Sequence, residues 1–482
     1  MVGDLPIFTG AQVLEATGGV LLSGEKENTF YGITTDSRHV NSGNLFIALR
    51  GEKFDGHDFI KMAVEQGAAG LLVQGEEKFK IPELGKSLTV IRVADTLQAL
   101  GDLAQNYRKR FPIPVIGLTG SSGKTTTKGM MAAIIGRKKA ILTTEGNLNN
   151  LIGLPQTIFR LTKDHELAVL EMGTNTRGEI KMLTQIAAPD IGLITNISPA
   201  HLAGFGSVDI VAEEKGKLFL NMSPAGTAIV NIDDEAVRVV AERWTGKRIT
   251  FGMSPDADVT AKDIEKNGVR GVRFNLVIGD KVNKVEMKIV GIHHVYNALA
   301  AAATAWAAGL DCKTIAEGLA SFQPVSGRMQ IIKMQNCAFV LDDSYNANPA
   351  SVREALMTLK DLKNHHGGYV FLGDMLELGA SADEMHRKIG ILMATIGVTA
   401  AFLKGDFSAV TAAGAVEGGM LPQNIFFLSQ DEDGMEFLKK NLKKGDWILV
   451  KGSRRMKMEK YVEQICDLFG RDDEAKNNTG TH

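Results

Sequence analysis

The chain has 482 residues, 23% of them charged, and a formal net charge of −2. That length fits about three domains of ordinary size, and the charge balance holds no large basic field of the kind that grips nucleic acid or an anionic membrane surface. The three cysteines, Cys312, Cys337 and Cys466, are too far apart in sequence to suggest a disulfide framework or a zinc site.

In chain order, a first block spans residues 1–112. Its strand-like runs are Tyr31–Thr34, Leu45–Leu49, Ala69–Val73 and Leu88–Val93, and a helical pattern from Thr96 to Arg110 closes it. Asp36, Ser37 and Arg38 follow the first strand; an arginine there suits forked recognition of phosphate, and a plain polar turn fits equally well. Phe111-Pro112-Ile113-Pro114 then breaks the helix and marks a linker.

The second block, residues 113–324, opens on the apolar Pro114-Val115-Ile116. The loop Gly117-Leu118-Thr119-Gly120-Ser121-Ser122-Gly123-Lys124-Thr125-Thr126 follows, then a helix-like run from Lys128 to Ile135. Strand, glycine-rich loop and helix are the context in which a phosphate loop works, because small residues let backbone N–H groups crowd phosphate oxygens at a helix N-terminus. In that reading Lys124 reaches the terminal phosphates and the Thr125 hydroxyl holds Mg²⁺. The strict GxxxxGK[ST] spacing fails by one residue, since Leu118 stands where its first glycine belongs; Gly120 gives the variant GxTGxxGKT.

Short apolar strands Leu167–Leu170, Ile191–Thr195 and Ala228–Val230 end in Glu171, Asn196 and Asn231, with helical segments between them. This alternation predicts a parallel sheet whose ligands bind at the carboxyl ends of its strands. Glu171, one strand tip from the loop, sits where a Mg²⁺ ligand is expected. His201 follows the next tip. Lys215, in Glu213-Glu214-Lys215-Gly216-Lys217, reads from composition as part of a solvated helix face. Val259 to Val290 alternates like an antiparallel addition, and an alanine-rich helix from Val295 to Ala308 follows.

The third block, residues 325–470, repeats the alternation with Phe339–Leu341, Tyr369–Leu372, Ala400–Leu403, Ile425–Leu428 and Trp447–Val450. A nucleotide-fold-like domain is expected. Asp343, Asn346 and Asn348 crowd a strand end just before a helix started by Pro349, a polar density more readily explained by function than by turn-making. The tail from Arg471 to His482 is polar and expected to be disordered.

Taken together and in this order, these residues resemble the Mur ligase family of ATP-dependent amide-forming enzymes. The resemblance covers Thr34 to Glu459 and rests on Thr35-Asp36-Ser37-Arg38, Gly43-Asn44-Leu45-Phe46, Asp55-Gly56-His57 and the loop Gly117 to Thr126. Asn147 to Pro155, Asp342 to Pro349, Gly373 to Gly379 and Lys451-Gly452-Ser453-Arg454 extend it. It implies an α/β chain of three domains: a central ATPase domain with a P-loop and parallel sheet, an N-terminal nucleotide-sugar-binding domain and a C-terminal Rossmann-like domain.

The resemblance also implies substrates and roles. ATP, Mg²⁺, a UDP-N-acetylmuramoyl-tripeptide and D-alanyl-D-alanine are the small molecules expected, in peptidoglycan precursor synthesis in the cytoplasm, by a monomer that binds no nucleic acid. Gly120, Ser121, Ser122, Gly123, Lys124, Thr125 and Thr126 would cradle the nucleotide, with Asn297 near adenine, Asp343 near ribose and Arg328 reaching in from the domain junction. Thr125, Glu171, His201 and a carbamylated Lys215 would hold Mg²⁺; Lys124, His201 and Lys215 would be catalytic. Ser37, Arg38, Asn149, Asn150, Asn346 and Asn348 would face the other substrates. One position departs from the family pattern Gly-x-His-Asn-x-x-Asn: His294 replaces the first asparagine in Gly291-Ile292-His293-His294-Val295-Tyr296-Asn297.

Two other readings compete. A folylpolyglutamate-synthase-like enzyme would lack the Thr35–Arg38 domain, and a nucleotide switch would not need Glu171, His201 and Lys215 together. The opening MVGDLPIFTG lacks a signal-peptide layout, and the longest apolar stretch, Ala298 to Leu310, is too short to span a bilayer.

Overall fold

A glycine makes the first departure from the sequence pattern. The run expected as one strand, Tyr31–Thr34, is split at Gly32, whose φ of 92° lies in the left-handed region. The split sends its two halves into different sheets. The computed structural model describes residues 5–51, 53–75, 88–200, 202–428 and 431–472. The first strands are β1 (Ile7–Thr9), β2 (Val20–Ser23), β3 (Thr29–Tyr31), β4 (Ile33–Thr34), β5 (Leu45–Ile47), β6 (Gly70–Gln74) and β7 (Thr89–Val93). β1 and β3 pair alone, while the rest form a sheet of order β2-β7-β6-β5-β4, antiparallel only at β2. The helix Gly10–Thr17, absent from the sequence reading, starts with a capping box between Thr9 and Gln12.

The middle sheet contains β8 (Val115–Thr119), β9 (Ile141–Thr143), β10 (Leu167–Glu171), β11 (Ile191–Ile194), β12 (Thr227–Asn231), β13 (Lys247–Phe251), β14 (Val259–Lys266), β15 (Val272–Ile278) and β16 (Lys281–Met287). Its order is β16-β15-β14-β13-β12-β11-β8-β10-β9. β8, β10 and β11 are buried along their whole length, as parallel strands covered on both faces must be. β14 to β16 form the expected antiparallel extension. The first strand runs on to Thr119, and the helix expected from Lys128 starts at Lys124. The alanine-rich helix His293–Ala307 packs against the helix Lys124–Ile135, and its alanines let the two approach closely.

The last sheet contains β17 (Gln330–Lys333), β18 (Phe339–Asp343), β19 (Gly368–Gly373), β20 (Ala400–Lys404), β21 (Ile425–Phe427) and β22 (Trp447–Lys451), in the order β17-β18-β22-β19-β20-β21. Only β17, at one edge, runs antiparallel, and one apolar cluster lies on each face. Three α/β domains therefore follow one another along the chain. Two residues expected in a disordered tail are held in place: Arg471 bridges to Met334, and Asp472 pairs with Lys333 at 2.6 Å. The remainder, 473–482, lies outside the described residues. Among the described residues no helix is long and apolar enough to cross a membrane.

The first two domains share a core. Phe8, Phe30, Leu100 and Tyr107 from the first lie in one buried cluster with Leu154, Ile158, Phe159 and Leu161 from the second. The Tyr107 hydroxyl donates to the Leu161 carbonyl at 2.9 Å. Phe159 sits edge-on to Phe8, with ring centroids 6.2 Å apart, and 5.9 Å from Tyr107. Phe159→Ala is expected to cost about 3–5 kcal/mol, read as a fall in the urea midpoint.

Candidate active site

The carboxyl end of β8 and its loop are shaped by two glycines. Gly120 has φ 151° and Gly123 φ 79°. A Cβ at Gly120 would collide with the Thr195 hydroxyl, and one at Gly123 with the Asn297 side-chain amide. The loop is stitched to the end of β11: Ser121 N–H donates to the Asn196 carbonyl at 3.0 Å, and Ser122 N–H to Asn196 Oδ1 at 3.0 Å. The Thr195 hydroxyl donates to the Ser122 carbonyl at 2.7 Å. These bonds fix the loop backbone at the N-terminus of the helix Lys124–Ile135, where an anion is favoured. Lys124 folds back so that Nζ donates to the Gly120 carbonyl at 2.7 Å. Burial lowers its pKa, against the pull of Glu171 and with repulsion from Arg328.

Register explains how Glu171 reaches this loop: it lies opposite Leu118 in the β8–β10 ladder. The Glu171 side chain is almost fully buried. Asn149 Nδ2 donates to its Oε1 at 2.9 Å, Lys128 Nζ lies 3.1 Å from its Oε2, and the Thr125 hydroxyl lies 3.3 Å from Oε2. Burial would raise the Glu171 pKa, but Lys128 and Lys124, aided by the Asn149 amide, hold it below the ordinary value. Lys215, on the helix Val208–Asn221, is only 2% exposed, so it is not the solvated face that composition suggests. Burial, and then repulsion from Lys124, push its pKa well below the usual lysine value, against the attraction of Glu214. His201 lies outside the described residues.

The third domain faces the loop across a cleft of about 1330 Å³. Asp343 and Lys451 are register partners on β18 and β22 and form a buried ion pair. Lys451 Nζ also donates to the Asn346 carbonyl at 2.9 Å. Asn348 caps the helix Pro349–Lys363 through Ser351 N–H, and its Nδ2 donates to the Ser121 carbonyl at 3.3 Å, tying the third domain to the phosphate loop. The Arg328 guanidinium lies 4.2 Å from the Tyr345 ring centroid, with Arg454 at 5.4 Å from the same ring. Asn297 Nδ2 donates to His294 Nδ1 at 3.1 Å, leaving His294 Nε2 buried without a partner among the described residues. Burial drives His294 well below the ordinary histidine value and His293 to about 4, so both rings are neutral near pH 7.

Ser121 to Thr126, Asn149, Asn150, Glu171, Asn297, Arg328, Asp343, Asn346 and Asn348 thus line one cleft. Lys215 lies buried off its wall. Ser37 and Arg38 stay in the first domain, where the Arg38 guanidinium pairs with Asp36 at 2.7 Å. Their turn reaches the middle domain through Thr35, whose hydroxyl accepts from Gln156 Nε2 at 3.2 Å. Asn149 binds Glu171, and Asn150 Oδ1 accepts from Gly153 N–H at 2.8 Å where the helix Gly153–Ile158 begins. Sequence reasoning passed over Lys128, Tyr345 and Lys451 as site residues. The signal for Lys128 was its place one helical turn after Lys124, on the same face; Lys451 stood at a strand tip.

Comparison with known proteins gives three matches along the chain. Residues 29–108 match "Mur ligase family, catalytic domain", residues 118–305 "Mur ligase middle domain", and residues 327–454 "Mur ligase, glutamate ligase domain". A UDP-N-acetylmuramoyl-tripeptide–D-alanyl-D-alanine ligase of Bacillus subtilis is 34% identical, over 95% of this chain and 98% of its own. The crystal structure of MurF from Acinetobacter baumannii superposes with a TM-score of 0.87 at 32% identity, covering 96% of this chain and all of that one. The MurF ligase of Thermotoga maritima in complex with ADP superposes at 0.80 with 26% identity, over 90% and 97% of the two chains.

Proposed function

The chain belongs to the Mur ligase family, and on that premise we propose the reaction it performs: ATP-dependent joining of D-alanyl-D-alanine to UDP-N-acetylmuramoyl-tripeptide, yielding the UDP-linked pentapeptide precursor of peptidoglycan. The enzyme forms a peptide C–N bond with ADP and phosphate as the other products. The observation that carries this reading is the facing of the loop Gly120–Thr126 and Glu171, on one domain, by Arg328, Asp343 and Asn348 on the next, within a single cleft.

The residues fit Mg²⁺ by their chemistry. The Thr125 hydroxyl and Glu171 carboxylate are hard oxygen donors 3.3 Å apart at the loop. Among the described residues, however, no group of three or more His, Cys, Asp or Glu gathers. A further oxygen donor is supplied in this reading by Lys215. Its buried amine, favoured neutral, adds to CO₂ and releases a proton, giving a carbamate in place of an ammonium that would repel the metal. His201 completes the proposed set. Bound there, Mg²⁺ supplies positive charge opposite the phosphate oxygens.

The remaining steps belong to the protein. Loop N–H groups and Lys124 hold and stabilise the transferring phosphoryl group as the tripeptide carboxylate attacks the γ-phosphorus and ADP departs. The resulting acyl phosphate has phosphate as a good leaving group, so the dipeptide amine adds to its carbonyl carbon and phosphate is expelled. Asp343 is assigned to the ribose, Asn297 to the adenine region, and Asn346 with Asn348 to the cleft where the dipeptide enters. Asn149 and Asn150 are assigned to the substrate side of the loop, and Ser37 with Arg38 to the UDP-sugar on the first domain. The proposed domain boundaries are 1–112, 113–324 and 325–470. A monomer is the assembly this reading favours, since one chain supplies every group named, and the cytoplasm is its compartment, where ATP and UDP-sugars are made.

The Tyr345 ring contacts two guanidinium groups, of Arg328 and Arg454, and lines the cleft together with Arg328. Tyr345→Ala is expected to raise the KM for ATP about tenfold, in line with loss of a partly desolvated cation–π contact, while Tyr345→Phe stays near wild type. Initial-rate kinetics at varied ATP would read both.

Phosphate release from ATP with Mg²⁺ and the UDP-linked tripeptide, offered in its lysine and diaminopimelate forms, tests the reading. Release that depends on D-alanyl-D-alanine, with a product heavier by that dipeptide less water, is expected. Release without the dipeptide and without new product, or no release with either tripeptide, would refute it.

A further inference from the structure

Lys128 is a second lysine on the phosphate-loop helix, one turn beyond Lys124, and it does not line the cleft. Its side chain is 9% exposed and lies 3.1 Å from Glu171 Oε2, on a carboxylate only 3% exposed. The other carboxylate oxygen is held by Asn149 at 2.9 Å. Asn149 is itself locked: Gly173 N–H donates to its carbonyl at 2.7 Å, and a Cβ at Gly173 would press on its side-chain amide. Glu171 is thus clamped from both sides before any ligand arrives. One clamp is neutral and orients; the other is a buried cation.

The charges at this end of the cleft have a definite balance. Lys124 and Lys128 both act on Glu171, and Arg328 adds positive charge from the facing domain. No group of three or more His, Cys, Asp or Glu is gathered to hold a metal ion among the described residues. Among the described groups coupled to Glu171 and Lys124, three cations outnumber one carboxylate, a set that attracts the phosphates of a nucleotide and repels a free divalent cation. A carbamate on Lys215 would add one anion and still leave the cations in excess.

We propose that Lys128 is a positioning residue that makes divalent-cation binding conditional on nucleotide. With the site empty of nucleotide, its ammonium neutralises Glu171 and excludes the metal. The phosphates of ATP bring the negative charge that reverses this balance, so the cation enters with the nucleotide. The inference rests on the ligase reading, and it assigns to Lys128 and Asn149 separate duties toward one carboxylate: charge to the first, orientation to the second.

The test is Mn²⁺ binding by the full chain, followed by electron paramagnetic resonance with and without a non-hydrolysable ATP analogue. Calorimetry of the analogue alone reports the nucleotide site separately. Wild type is expected to bind Mn²⁺ at least about tenfold more tightly with the analogue than without it. Lys128→Met is expected to raise the nucleotide-free Mn²⁺ affinity by about tenfold or more, since a cation adjoining the ligand is removed, whereas Lys128→Arg, which keeps the charge, follows wild type. Asn149→Ala is expected to weaken Mn²⁺ binding in the presence of analogue without creating nucleotide-free binding. A lysine serving only as a structural counter-ion would lower the melting temperature of Lys128→Met and leave Mn²⁺ affinity unmoved, and that result overturns the proposal. Equal Mn²⁺ binding by wild type with and without bound analogue overturns it with no variant needed, so a Met variant that failed to fold would not protect it. If the analogue itself did not bind, the ligase reading would fall and this inference with it.

Discussion

Lys124→Met is expected to lower kcat by about a thousandfold while the protein keeps its fold, because it deletes the one loop cation placed to meet charge that grows as the phosphoryl group transfers. The Gly120 carbonyl that Lys124 holds at 2.7 Å is a partner of the resting site and would be released when phosphates arrive. The loop does not need the lysine for its shape. Gly120 and Gly123 set its backbone, and Asn196 and Thr195 brace it from β11. Methionine keeps the length of the buried chain without its charge. Single-turnover phosphate release would show the loss in the chemical step, with calorimetric binding of an ATP analogue weakened far less. Loss of binding with kcat intact would mean that Lys124 only captures nucleotide.

Lys215→Ala is expected to lower turnover by about 10²–10³-fold, with partial recovery on addition of short carboxylates. The argument turns on burial. A lysine 2% exposed, held near the Lys124 charge, costs free energy as an ammonium and has reason to be neutral or converted to an anion. Removing its side chain leaves a space behind the loop that a small carboxylate can enter. Recovery should rise with carboxylate concentration and saturate. An untreated variant with full activity would exclude the carbamate, and an inactive variant that no carboxylate restores would reduce Lys215 to packing. Mass spectrometry cannot substitute for this test, because a carbamate is lost in acid.

What the sequence made legible was local. The strand, loop and helix from Val115 to Ile135 could be read because glycines, lysine and threonines carry their conformational meaning within ten residues. The strand tips at Glu171 and Asp343 could be read because a fully apolar run ending in a carboxylate describes a parallel strand meeting a crevice. Burial by distant elements was not legible. Lys215 carries the letters of a solvated helix face, and only the packing of Val208–Asn221 against β8, β11 and neighbouring helices shows otherwise. Lys128 drew no reading as a site residue, because only the fold brings Glu171 of β10 to it. The split at Gly32 depends on a φ of 92° that a single glycine permits but does not announce. The core shared by Phe8 and Phe159 joins residues far apart in sequence, which no periodicity encodes. The Tyr345 contacts likewise need Arg328 and Arg454, which are far apart in sequence.

The acyl phosphate is the centre of this account, and isotope transfer tests it most directly. UDP-N-acetylmuramoyl-tripeptide labelled with ¹⁸O in its terminal carboxylate would be incubated with ATP, Mg²⁺ and D-alanyl-D-alanine, and the released phosphate weighed. If the carboxylate oxygen bridges to phosphorus before the amine arrives, each phosphate carries one label from the tripeptide. Unlabelled phosphate formed alongside the pentapeptide product would contradict it.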